Sequence, residues 1–164
     1  MADSVQLEEE VAALVHFIKP YVSQCYFRNL PEGFITPSAF FPAPEMDGVE
    51  HSLSSYEDDF ALFMKIFDKD SMGAYAIASK IVKAIQNCRK RIPLYDENGE
   101  ITGKNFRVTK LNAKVIDDGV AQIAVEWKTL AVYDTELHTK AMNFYYSGLA
   151  TSKVKEEEDG SGKE

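Results

Sequence analysis

The stretch Asp68-Lys69-Asp70-Ser71-Met72-Gly73 has carboxylates at its first and third places and glycine at its sixth, the opening of a calcium-binding EF-hand loop. The remainder does not follow. The fifth, ninth and twelfth places fall on Met72, Ala76 and Ser79, leaving too few oxygens for a hard divalent cation. A strand-to-helix turn capped by an Asp or Ser side chain accounts for the same residues. His16, His51 and His138 lie far apart and make neither HxH nor HExxH spacing, and no nucleophile elbow or glycine-rich phosphate loop occurs. Cys25 and Cys88 form no CxxC pair. Cys88 falls on an apolar helical stripe and Cys25 beside Tyr26 and Phe27, so both are expected in the interior. No metal, no cofactor and no catalytic constellation is expected, and therefore no enzyme.

The charges are more informative. The 164 residues hold 18 Lys and Arg against 26 Asp and Glu, a formal net charge of −8. That sign disfavours nucleic acid and anionic membrane as partners. The N-terminus, MADSVQLEEE, is acidic where a signal peptide is basic, and no apolar run reaches the roughly 18 residues of a membrane span. The excess is also unevenly placed. Residues 42–59 carry six acids (Glu45, Asp47, Glu50, Glu57, Asp58 and Asp59) and no Lys or Arg. Residues 80–115 carry nine bases, among them Lys80, Lys83, Arg89, Lys90 and Arg91, against three acids. Opposite patches on one small domain either neutralise each other within the chain or favour head-to-tail contact between copies, which closes into a ring when the rotation allows. Those eleven residues are the candidate inter-subunit contacts.

The elements that position these charges follow from periodicity. Leu7, Val11, Leu14, Val15 and Ile18 recur at helical spacing with acids in the first turns, and Pro20 interrupts near Lys19. Tyr21, Val22 and Cys25 extend the same stripe. Four prolines between residues 31 and 44 forbid helix and leave an edge strand or extended segment over Ile35 to Phe41, anchored by Phe40 and Phe41. The acidic stretch 42–59 reads as a long loop. FALFMKIF at 60–67 is apolar on both parities and is expected as a central strand buried on both faces. Ala74, Ile77, Ala78, Ile81, Ile85 and Cys88 make the stripe of the next helix. Asp96-Glu97-Asn98-Gly99 and Asp117-Asp118-Gly119 join two hairpins, the second alternating Ala121, Ile123, Val125 and Trp127 against polar residues. Thr135 caps a last short helix, and residues 152–164 form an acidic tail with the composition of disorder. The expectation is one α+β domain over 1–151, a mostly antiparallel sheet with an N-terminal, a central and a short C-terminal helix packed on it.

This order, with VQLEEEVAALVHFI, ITPSAFFPAP, DDFALFMKIFDKDSMGAYAIASKIVKAI and VEWKTLAVYD as its text, resembles the tail-terminator and tail-completion proteins of long-tailed bacteriophages and prophage-derived particles of Gram-positive bacteria. The resemblance covers about residues 5–134. It implies an α+β subunit of a ring, usually a hexamer, that caps the last ring of tail-tube subunits and meets the head-tail connector. The expected partners are therefore further copies of the chain, the tail-tube protein and the connector protein, in the host cytoplasm during assembly and in the virion tail afterwards. The contact elements it implies are the helix from Met72 to Lys90, the acidic stretch 42–59 and the hairpin 95–102. Two other readings differ in kind: a neighbouring head-to-tail connector, and a ligand-binding or enzymatic module whose helices close a pocket lined by Phe63, Phe106, Trp127 and Tyr133.

Overall fold

The computed structural model describes residues 9–133. In chain order they form α1 (Glu9–Ile18), a 3₁₀ turn (Lys19–Tyr21), β1 (Gln24–Phe27), β2 (Ser38–Phe41), β3 (Glu45–Ser52), β4 (Ser55–Phe67), α2 (Ser71–Asn87), β5 (Arg91–Tyr95), β6 (Ile101–Asp117) and β7 (Val120–Val132). The strands join in the order β1-β2-β4-β7-β6-β5, with β3 paired to β4. β1 and β2 are parallel, whereas β2–β4, β5–β6 and β6–β7 are antiparallel. The class is thus mixed α/β with an antiparallel-dominated sheet. Two α-helices lie within the described residues; the short C-terminal helix and the acidic tail expected from the sequence fall outside them.

Two compact units divide the chain. Of the described residues, the first holds 9–48 and 58–129, and the second 49–57 and 130–133.

The core of the first unit comes from alternate residues of two strands and one stripe of each helix. Phe60, Leu62, Met64 and Ile66 on β4 and Ala121, Ile123, Val125 and Trp127 on β7 are buried, as are Val11, Leu14 and Ile18 on α1 and Ala74, Ala78, Ile81 and Ile85 on α2. Burial of one large aliphatic side chain stabilises by about 1.5–3 kcal/mol, so these positions dominate the fold's energetics. β4 is central, between β2 and β7, but only one of its faces is fully packed: Ala61, Phe63, Lys65 and Phe67 are half-buried. Among the described elements α1 lies near β5 and α2 near β6.

Three expectations are corrected near the N-terminus. α1 ends at Ile18, just before the 3₁₀ turn that holds Pro20, and Cys25 does not continue its stripe, because the chain re-enters the sheet as β1. β1 then covers β2, so the proline-flanked strand is interior and not an edge. The prolines permit this because all of them fall outside Ser38–Phe41, so no ladder donor is missing. Cys25 is half-buried and Cys88 exposed; Cys88 is the residue at which α2 ends, one place too late to be covered.

The acidic stretch is also not a loop. It is a β-hairpin, β3 and the start of β4, turning at Leu53-Ser54. All eight residues of β3 are exposed, so no apolar alternation marks it in the sequence. In the second unit, Ser52 and Ser55 hydroxyls meet at 2.7 Å, His51 Nδ1 and Ser55 Oγ at 3.2 Å, and the Tyr133 N–H donates to the Ser54 carbonyl at 3.1 Å. The Tyr56 and Tyr133 rings pack with centroids 5.3 Å apart.

Candidate functional site

The turn between β4 and α2 spends the EF-hand-like residues on structure. Asp70 is the N-cap of α2, its carboxylate accepting the Gly73 N–H at 2.6 Å. Ser71 Oγ donates to Asp118 Oδ1 at 3.0 Å and accepts the Gly119 N–H at 3.1 Å. The helix start is thereby tied to the β6–β7 turn. From this anchor α2 carries Lys80 and Lys83 outward on its exposed side.

At the far end of α2 the chain reverses through two consecutive left-handed residues, Arg89 (φ +54°) and Lys90 (φ +57°). The Arg89 N–H donates to the Gln86 carbonyl at 2.8 Å and the Lys90 N–H to that of Ile85 at 2.9 Å, closing the helix without glycine. A left-handed conformation costs a non-glycine residue about 1–2 kcal/mol. Such strain persists where the surroundings over-determine it, and it concentrates at functional positions. Arg91 then opens β5 directly opposite Arg107 of β6, a like-charge pair that destabilises a ladder by a few tenths of a kcal/mol to about 1 kcal/mol. Among the described residues no carboxylate pairs with Lys80, Lys83, Arg89, Lys90 or Arg91. The basic side of the charge division is therefore not neutralised there, and an acidic partner would relieve it.

The acids lie on the β3–β4 hairpin. Glu45, Asp47 and Glu50 on β3 are exposed, and Glu57, Asp58 and Asp59 on β4 are half-buried. Glu45, Asp47 and Asp59 border a cleft of about 320 Å³ together with Phe63, Glu126 and Lys128. Lys128 Nζ meets Asp59 Oδ2 at 3.1 Å, and Lys110 Nζ meets Glu126 Oε1 at 2.9 Å. These pairs are solvated and contribute about 0–1 kcal/mol each. Lys110, Glu126 and Lys128 were not among the sequence candidates; their cross-strand spacing becomes readable only once the β6–β7 register is known.

The cleft is not the aromatic pocket expected from the sequence. Phe106 and Trp127 belong to a filled core, Trp127 stacked on Phe60 at 5.3 Å and inclined to Phe106 at 5.8 Å. Tyr133 lies in the second unit against Tyr56. Only Phe63 and Trp127 of the four border the cleft. No helix among the described residues is long and apolar enough to cross a membrane.

Comparison with known proteins gives two relatives. The chain is 32% identical over 108 residues, 66% of its own length and 74% of the relative's, to the phage-like element PBSX protein XkdJ of Bacillus subtilis. It is 31% identical over 132 residues, 79% of its length and 90% of the relative's, to the protein YqbJ of the same bacterium. No protein-family model matches the chain.

Proposed function

This chain belongs to the family of the phage-like element PBSX protein XkdJ and of YqbJ, and on that premise we propose that it is a non-catalytic structural part of a phage or phage tail-like particle, forming a ring at the head-proximal end of the tail. The ring terminates tail-tube polymerisation and joins the tail to the head or neck. Copies of the chain, the tail-tube protein and the connector protein are its partners. Its place is the tail of the virion, reached from the host cytoplasm.

The observation that carries the self-association is the unneutralised basic turn at Arg89 to Arg91 on a chain whose β3–β4 hairpin carries six acids. Head-to-tail contact between such surfaces is heterologous, and heterologous contacts close into a ring when the rotation allows. Size-exclusion chromatography with light scattering at several salt concentrations tests it. A hexamer mass that falls as salt rises is expected, because screening weakens exposed charge pairs. A strict monomer that binds no tail tube at any salt contradicts it.

A further inference from the structure

The sheet order places β3, β4, β7 and β6 side by side, with β3 and β6 as the outer strands of that group. β5 covers β6 only as far as Arg107, and the last bond on that side runs from the Val108 N–H to the Lys90 carbonyl at 2.8 Å. From residue 109 to 117, β6 pairs with β7 alone among the described residues. Among the described residues β3 likewise pairs with β4 alone. Among the described residues each strand therefore presents a row of unpaired N–H and C=O groups, the template on which another strand adds. β3 has no proline and no lysine, and its charges are all acidic.

The two edges are complementary in length, charge and apolar content. β3 has eight residues, with Glu45, Asp47 and Glu50 and no Lys or Arg; the open edge of β6 has nine, with Lys110 and Lys114 against Asp117 at its end. Asp47 borders the same cleft as Asp59, Glu126 and Lys128, and Lys110 reaches Glu126 across the ladder. The β6–β7 register is unbroken from Lys110 to Val115, which puts Lys114 on the face of Lys110 and Glu126. Met46 and Val115, each next in its strand to Asp47 and Lys114, are 58% and 45% exposed.

We propose that β3 of one copy pairs antiparallel with the open edge of β6 of the next, with Asp47 opposite Lys114. This register sets Met46 opposite Val115, so the two exposed apolar side chains cover each other while the Asp47 carboxylate meets the Lys114 ammonium on the other face. Because the joined edges are different strands, each copy keeps one free edge for the next neighbour, and the contact propagates around a ring. The inference rests on the self-association reading and supplies its contact.

Disulfide trapping tests it. In a Cys88→Ser parent, Asp47→Cys combined with Lys114→Cys and mild oxidation should give a ladder of covalent multimers that reducing agent collapses. Asp47→Cys with Lys104→Cys, which lies on the part of β6 that β5 covers, should give none. A parent that forms a ring by light scattering, but whose 47/114 pair gives no ladder, overturns the strand pairing and leaves the ring reading intact. A parent that is monomeric at every salt concentration overturns both. In parallel, Asp47→Lys and Lys114→Asp should each weaken assembly at least tenfold and together restore it; failure of the double variant to recover also overturns the register.

Discussion

The backbone N–H of Asp68 donates to the carbonyl of Gly119 at 3.0 Å, fixing the end of β4 and the start of α2 against the β6–β7 turn. Gly119 holds φ +69°, and a Cβ there would lie 2.8 Å from the Asp68 carbonyl oxygen. Gly119→Ala therefore meets both a left-handed backbone and a backbone atom that cannot yield, and should cost about 2–3 kcal/mol. Gly99→Ala, at φ +79° with open space around it, should cost only about 1 kcal/mol. Urea unfolding of the two variants measures the difference.

Asp70 tests the reading of the Asp-Lys-Asp-Ser turn as a cap. Asp70→Ala removes the acceptor of the Gly73 N–H and should destabilise by about 0.5–2 kcal/mol, while Asp70→Asn, which caps as well, should lose little. Millimolar calcium should leave the melting temperature of the unaltered protein where chelator leaves it. A calcium-dependent rise abolished by Asp70→Asn would assign the turn to metal.

Trp127 is fully buried, and its Nε1 has no hydrogen-bond partner. Trp127→Phe keeps most of the stacking on Phe60 and removes an unpaired donor, so it should cost far less than Trp127→Ala, for which about 3–5 kcal/mol is the usual range. Thermal melts followed by far-ultraviolet circular dichroism separate them. Trp127 is also the only tryptophan in the chain, so its fluorescence reports directly on the core beside the cleft.

The two cysteines should differ in reactivity. Burial pushes the Cys25 thiol up, outweighing the opposing effect of Lys19, and the residue is half-buried, whereas Cys88 is exposed. Thiolate is the reacting species, so iodoacetamide at mildly alkaline pH should label Cys88 first. Peptide mass mapping over time checks the order.

Much of this architecture is legible in the sequence where one face is apolar. The stripes of α1 and α2, the alternation on β7 and both glycine turns before Glu100 and Val120 appear in the structure where periodicity puts them. β3 is not legible, because a strand exposed on both faces has no period-2 signal, and six acids without a base read as loop. β1 is hidden for a related reason: four residues cannot establish a period, and Cys25 coincides with the helical spacing that precedes it. The charge division is visible in the sequence, but the reversal at Arg89 and Lys90 and the open edges of β3 and β6 depend on pairing partners far away in the chain.

The basic turn gives a further expectation. Reversing Lys83, Arg89 and Lys90 together should leave the fold unaltered by circular dichroism, since their side chains are solvated or at the surface, and should weaken self-association at low salt more than at high salt. Equal loss at all salt concentrations would point to lost packing and not to lost charge attraction.

Tail-tube length tests the central claim most directly. Purified tail-tube protein allowed to polymerise with and without this chain should give, by negative-stain electron microscopy, shorter tubes with ring-shaped density at one end when the chain is present, and uncapped, longer tubes when it is absent or carries the Lys83, Arg89 and Lys90 reversals. Tubes of the same length and bare ends in the presence of the unaltered, assembled protein would contradict a terminating role.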